Sequence, residues 1–278
     1  MTKKEQRFVE TVWRYYREHG RHDLPWRQRS HLKPYNILVS EVMLQQTQVD
    51  RVVPKYQAFI KAYPNVKRLA AAPLGDVLRL WQGLGYNRRA KLLHECATQI
   101  VGTYDSTYPN TYQTLQELPG VGPYTAGAVM AFAYNQPVSF IETNIRTVYL
   151  HHFFAGRDQV SDAAIREHVT RTLDQKHPRE WYWAIMDYGS HLKRTQGNQN
   201  HRSRHYTKQS RFPGSDRQVR GAILRSLTAG TITRARLQKA VAKDLGELFS
   251  SERTSQQLTQ LVAEGLVEQD DHHYQLPS

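Results

Sequence analysis

The segment Leu118-Pro-Gly-Val-Gly-Pro-Tyr-Thr-Ala-Gly127 limits the fold more than any other stretch of this chain. Apolar residues at helical spacing precede it, and an apolar helix is expected to follow over 125–134. Gly120 and Gly122 let the backbone take conformations closed to other residues. The helix that then begins near Tyr124 or Thr125 has unpaired amides in its first turn. Amides at a helix start bind anions, phosphate in particular. Gly120, Val121, Gly122 and Thr125 are therefore the expected phosphate contacts. A glycine-capped turn between two helices is the plainer alternative.

Charge supports the phosphate reading. The 278 residues carry 38 Lys+Arg against 25 Asp+Glu, a formal net charge of +13. A chain that basic commonly meets nucleic acid. With 39% hydrophobic residues it can also bury a core. No run approaches the roughly 20 apolar residues of a membrane span. The N-terminus has no signal-peptide pattern. A cytoplasmic monomer is expected, nucleoid-associated if the source is bacterial. Cys96 is the one cysteine, so neither a disulfide framework nor a cysteine-rich metal site can form within the chain. It reads as a packed helix residue.

Helical periodicity dominates to about residue 190, and strand signals are sparse. Helices are expected at about 4–19, 36–47, 52–62, 77–83, 88–101, 111–118, 125–134, 141–153, 161–173 and 179–190. Residues 191–213 are rich in His, Arg, Gln, Asn and Ser and read as an irregular basic loop. From Asp216 three amphipathic helices and a short hairpin suggest a winged-helix module. The expected domains are thus 1–212 and 216–278.

Several further strings point one way: Leu24-Pro-Trp-Arg27, Ser40-Glu-Val-Met-Leu-Gln-Gln-Thr-Gln48, Trp81-Gln-Gly-Leu-Gly-Tyr86 and the hairpin. Together they resemble the helix-hairpin-helix DNA glycosylases over about residues 10–192, the MutY adenine glycosylases more than endonuclease III. The resemblance implies a mainly α, two-lobed fold and double-stranded DNA with a mismatch or lesion as partner. It also implies hydrolysis of the N-glycosidic bond of mispaired adenine, opposite 8-oxoguanine or guanine. Excision of thymine or uracil opposite guanine is one alternative. A non-catalytic damage-binding protein is another.

That chemistry leaves a cationic sugar and an anionic base, so it needs a proton donor and a second carboxylate. By resemblance Glu41, among apolar helix neighbours, is the acid. Partial burial there would keep its proton available, and a glutamate placed for the helix dipole is the alternative. Glu142 stands where the family has Asp, with Asn144 as companion. Glu142 stabilises the sugar or has become structural. Tyr124 occupies the place of the Schiff-base lysine of endonuclease III and cannot form an imine, so the expected enzyme is monofunctional. Trp26, Arg27 and Leu44 are expected near the base pocket. Trp183, where relatives have a smaller polar residue, either reshapes that pocket or packs the core. Gln46 and Tyr86 match side chains inserted into the duplex, with Gln45 and Thr47 beside them.

The family's four cluster cysteines fall on Lys193, Asn200, Ser203 and Gln209, so no iron–sulfur cluster and no other cofactor is expected. His191, His201 and His205 lack acidic or thiolate companions, so no metal is expected either. Lys193, Arg194, Arg202 and Arg204 keep the loop basic and are expected to meet phosphate.

Overall fold

A computed structural model describes residues 1–278. Its helices are α1 (Lys3–His19), α2 (Pro34–Leu44), α3 (Val49–Ala62), α4 (Val66–Ala70), α5 (Leu74–Trp81), α6 (Arg88–Thr103), α7 (Tyr112–Gln116), α8 (Pro123–Phe132), α9 (Thr143–Phe153), α10 (Asp162–Thr172), α11 (Pro178–Gln196), α12 (Asp216–Ser226), α13 (Arg234–Leu245) and α14 (Ser251–Ala263). The strands are β1 (Ile232–Thr233), β2 (Glu268–Asp270) and β3 (His273–Gln275). The mainly α architecture is the expected one. No helix is long and apolar enough to cross a membrane.

The chain forms two units. One comprises residues 1–38, 109–117 and 121–208, the other 39–108, 118–120 and 209–278.

In the first unit, a capping box starts α1: the Thr2 side chain accepts from the Glu5 amide, and Glu5 reaches back to the Thr2 amide. Both orphan donors are satisfied reciprocally. Phe8, Val12 and Tyr16 then fall on one buried face of α1, as period 3.6 requires. That face meets α9 and α11, with Phe8 5.2 Å from Tyr149 and Trp13 5.6 Å from Trp181 between ring centroids. Helix α8 is buried from Thr125 to Phe132. Gly127 lets it lie against Phe140, because an added Cβ would sit 2.7 Å from the Phe140 Cβ. Gly189 of α11 does the same at the start of α9, where a Cβ would come within 2.4 Å of the Asn144 carbonyl oxygen.

In the second unit, Tyr56, Phe59, Leu69, Leu78 and Trp81 are fully buried among α3, α4 and α5. Helices α12, α13 and α14 join an antiparallel sheet of order β1-β3-β2. Ile232 pairs with Tyr274, and Tyr274 also faces Gln269. Three helices and a hairpin are thus present as expected, with β1 added to the sheet. The C-terminal segment is fastened to the earlier helices of the same unit. The Gly75 amide donates to Pro277 O at 2.7 Å, Arg79 to Thr228 O at 3.2 Å, and Lys91 to the Glu264 carbonyl.

Two expectations need correction. Residues 191–213 are not a loop throughout, since α11 continues to Gln196 and ends at Gly197 with φ +81°. Lys193 and Arg194 are therefore exposed residues of its last turn. Good helix formers without apolar partners suffice to extend a helix that is already docked. Helix α2 is also displaced, starting at Pro34 and stopping at Leu44. Gln46 follows in the left-handed region, φ +54°, a conformation that commonly ends helices.

Candidate active site and DNA-facing residues

Glu142 is the N-cap of α9. Its Oε1 accepts from the Ile145 amide at 2.7 Å, and its Oε2 accepts from Asn144 Nδ2 at 3.1 Å. A side-chain acceptor at this place satisfies one of the orphan donors of the helix start. Asn144 is thus oriented by the carboxylate it accompanies. Burial pushes the Glu142 carboxyl above the ordinary glutamate range, against the lowering effect of the Asn144 and Ile145 donors and of Arg146 and Lys193. Arg146 is itself held by Asp162, at 2.9 and 2.8 Å.

Tyr124 lies in the first turn of α8, partly buried, with its ring 5.9 Å from Phe140. Gly122 is the N-cap of that helix and has no side chain to cap it; Pro123 follows at the first position. Val121 and Thr125 are buried and Gly122 is exposed. In the second unit Gly120 adopts φ +75°, and a Cβ there would meet the Leu92 Cβ at 2.9 Å. That glycine is required both by its dihedral and by the close approach.

Glu41 is 3% exposed, on α2 between Ser40 and Val42, which are also buried. It sits in the last turn of the helix. The helix dipole therefore gives no reason for a carboxylate there, because the C-terminal end favours cations. Leu44 closes α2 half-buried.

Arg27 and Trp183 are spent on each other and on a residue the sequence reading missed. Arg27 Nη1 and Nη2 donate to the two oxygens of Asp187 at 2.8 and 2.9 Å, and its guanidinium lies 5.3 Å from the Trp183 ring centroid. Arg21 joins Asp187 from a second direction at 2.7 Å. Trp183 also stacks on Phe132 at 6.1 Å. The two arginines hold the Asp187 carboxyl below the usual carboxylate range, despite its burial. Trp26, beside this pair, is 5% exposed.

The Gln45-Gln46-Thr47 turn and the Gly85-Tyr86 turn are joined by a second missed residue, Arg89. Its Nη1 donates to the carbonyls of Val42, Met43 and Gln45 at 2.6, 3.0 and 2.6 Å. Its Nη2 donates to Thr47 Oγ1 and the carbonyls of Leu84 and Gly85 at 3.1, 3.2 and 3.1 Å. Arg89 thus serves as the C-terminal cap of α2, where orphan carbonyls and the dipole both favour a cation. Desolvation lowers its pKa to about 10, so it stays charged at neutral pH. Tyr86, like Gln46, is held at positive φ, +48°. With Gln46 it lines two clefts of about 360 and 480 Å³.

The expected cluster positions carry amide, hydroxyl and ammonium groups. Asn200 is buried, and its Nδ2 donates to Thr147 Oγ1 at 2.8 Å. Ser203 is buried and forms a parallel bridge with Val160. Arg202 donates to the carbonyls of Leu150 and Phe154 at 2.9 Å each, closing the end of α9. Lys193 and Arg204 are exposed. No thiolate stands at any of these places, so the donor set does not fit an iron–sulfur cluster. Hydrogen bonds fasten residues 198–204 to α9 instead.

Residues 39–174 match the model of the HhH-GPD superfamily of base excision DNA repair proteins. The adenine DNA glycosylase of Mycolicibacterium smegmatis is 38% identical over 91% of this chain and 90% of its own length. That of Mycobacterium tuberculosis is 35% identical over 95% and 91%. Among solved structures, a thermostable thymine-DNA glycosylase superposes with a TM-score of 0.60 at 26% identity, over 68% of this chain and 87% of that one. An endonuclease III–DNA complex gives 0.60 at 19% identity, over 70% and 90%, a likeness of fold alone. Fold and motifs thus make the chain an HhH-GPD base excision repair protein. Within that superfamily it belongs to the adenine DNA glycosylase family.

Proposed function

We propose that this chain is a monofunctional glycosylase that hydrolyses the N-glycosidic bond of adenine mispaired with 8-oxoguanine or guanine. It acts as a monomer on double-stranded DNA in the cytoplasm, and without an iron–sulfur cluster. The observation that carries the reading is the 38% identity to an adenine DNA glycosylase across 91% of the chain. That alignment leaves too little uncovered to omit residues 209–278. The thymine-DNA glycosylase likeness reaches 68% of the chain, which ranks a thymine or uracil substrate second.

In this reading the adenine leaves the stack, and Glu41 donates a proton to it as the glycosidic bond breaks. The departing base takes the bonding electron pair, and positive charge develops on the sugar. Glu142, an anion fixed by two donors, faces that charge. Water then adds to the sugar, and the Glu41 carboxylate accepts its proton. Tyr124 offers no amine, so no imine forms and the strand is left intact. Gln46 and Tyr86 fill the space the extruded base leaves. Lys193, Arg194, Arg204 and the hairpin amides hold phosphates.

Single-turnover assays on duplexes carrying one adenine–8-oxoguanine, adenine–guanine, thymine–guanine or uracil–guanine pair test this. Abasic sites are expected from the adenine pairs alone, and Glu41→Gln should lose about 1,000-fold or more of the rate. Excision from the thymine or uracil duplex, or an active Glu41→Gln, defeats the reading. So does a covalent DNA adduct trapped by borohydride.

A further inference from the structure

The second unit grips Tyr86 from two sides. Arg89 lies 5.5 Å from its ring centroid and Arg217 of α12 lies 5.2 Å from it. Arg217 Nη1 also donates to the Tyr86 hydroxyl at 2.8 Å. Gln209 donates to the same hydroxyl and, at 3.4 Å, to Gln46 Oε1. Arg217 is in turn anchored, since its Nη2 donates to Ser210 O at 2.6 Å and its guanidinium lies 5.9 Å from the Phe212 ring. Phe212 is 55% exposed.

The charge of the module is divided to match. Residues 216–245 hold Arg217, Arg220, Arg225, Arg234, Arg236, Lys239 and Lys243 against two aspartates. Residues 251–278, which supply α14 and the hairpin, hold Arg253 against five acidic residues. The hairpin tip carries Asp270 and Asp271. An acidic wing and a nearly uncharged helix are poor matches for phosphate.

We propose that the C-terminal module serves the site by fixing Tyr86 through Arg217, a positioning residue, and not by reading DNA with its wing. The inference rests on the reading of Tyr86 as an inserted side chain. A planar guanidinium suits the task, because it stacks on the ring and bonds the hydroxyl at once. Free rotation of Tyr86 would otherwise have to be lost on each encounter with DNA.

The full chain with Arg217→Ala, Arg217→Lys, Tyr86→Ala or the double variant Arg217→Ala/Tyr86→Ala tests this. Affinity is measured for a duplex with one adenine–8-oxoguanine pair, with 2-aminopurine beside the target adenine to report unstacking. Arg217→Ala is expected to weaken binding about tenfold and to blunt the fluorescence rise. Arg217→Lys should restore less than half of that loss, since an ammonium cannot stack as a plane. The double variant should bind no more weakly than Tyr86→Ala. Replacing His272 and His273 of the hairpin by Ala should leave binding unchanged. Parent-like binding by Arg217→Ala, or losses that multiply in the double variant, overturns the positioning role while the wedge reading stands. A tenfold loss from the hairpin variant overturns it too, by giving the DNA contact to the wing. Parent-like behaviour of Tyr86→Ala refutes the wedge reading itself, and the inference with it.

Discussion

Glu142 and Tyr86 both carry roles in the proposed mechanism, and they are placed by opposite means. Glu142 is fixed by its own helix: the donors are Asn144 and Ile145, two and three residues on. Tyr86 sits at positive φ on a turn, and what holds it comes from afar, from Arg89 beneath the turn and from Arg217 in the C-terminal segment. A cap secures its residue for as long as the helix exists. A turn held by arginines depends on contacts that single substitutions can remove, so the two regions should fail differently.

The largest expected effect belongs to the turn. Arg89→Ala would remove a donor from five main-chain carbonyls and Thr47, of which Gln45 O and Leu84 O keep Thr47 Oγ1 and Gly85 O keeps Trp81 Nε1. Buried acceptors left unsatisfied cost about 1–3 kcal/mol each when water cannot reach them. Water entering the gap will recover part of this, so a total loss of about 3–5 kcal/mol is expected in urea unfolding. Excision should fall with it, because Gln46 and Tyr86 lose their common anchor. A loss below about 1 kcal/mol would mean that the turns hold themselves, and the contrast with Glu142 would vanish.

Glu142→Gln sharpens the other side of the comparison. Gln keeps an acceptor for the Ile145 amide and the shape of the side chain, and it removes the charge and the acceptor that faces Asn144, whose amide can turn its Oδ1 to the new NH2. If the carboxylate faces the sugar cation, single-turnover excision should fall about 100-fold or more. Stability should go the other way or stay level. An acid whose folded pKa is raised binds protons more readily folded than unfolded, so the fold gains stability as pH falls through that pKa. At neutral pH the buried charge is a burden that Gln does not carry. The same sign predicts the pH profile: excision by the parent should decline on acidification above the ordinary glutamate range, as Glu142 takes up a proton. A Glu142→Gln variant that excises at the parent's rate would leave Glu142 a helix cap and nothing more.

What could be read from the sequence follows the same division between near and far. The hairpin, the periodic helices and the three-helix module with its hairpin are local patterns, and each is present where the pattern lies. The position of Glu142 as an N-cap was less legible, since the usual caps are Ser, Thr, Asp and Asn and not Glu. Asp187 as partner of Arg27, and Arg89 as partner of Val42 and Gln45, join residues far apart in the chain. No spacing rule reveals them. The continuation of α11 through Lys193 and Arg194 was missed for another reason. Lack of apolar residues is not lack of helix, since a solvent-facing last turn needs propensity and not burial.

The smallest effect expected lies in residues 198–204. The family resemblance assigns a metal cluster to this stretch, and here Asn200 and Arg202 bind α9 directly while Ser203 pairs with Val160. If these bonds do the fastening, Asn200→Ala should cost about 1–2 kcal/mol, the price of one buried side-chain hydrogen bond and the group it leaves behind. Thermal unfolding with and without a chelator measures it, and the chelator should change neither protein. Excision should drop less than threefold, because Asn200 bonds Thr147 rather than Glu142 or Asn144, and Thr147 keeps its own bond to the Thr143 carbonyl at 2.9 Å. A chelator-sensitive parent would show that a metal ion, and not these hydrogen bonds, secures the segment. A loss of excision as deep as that of Glu142→Gln would show instead that the start of α9 is held from its far end as well as by its cap.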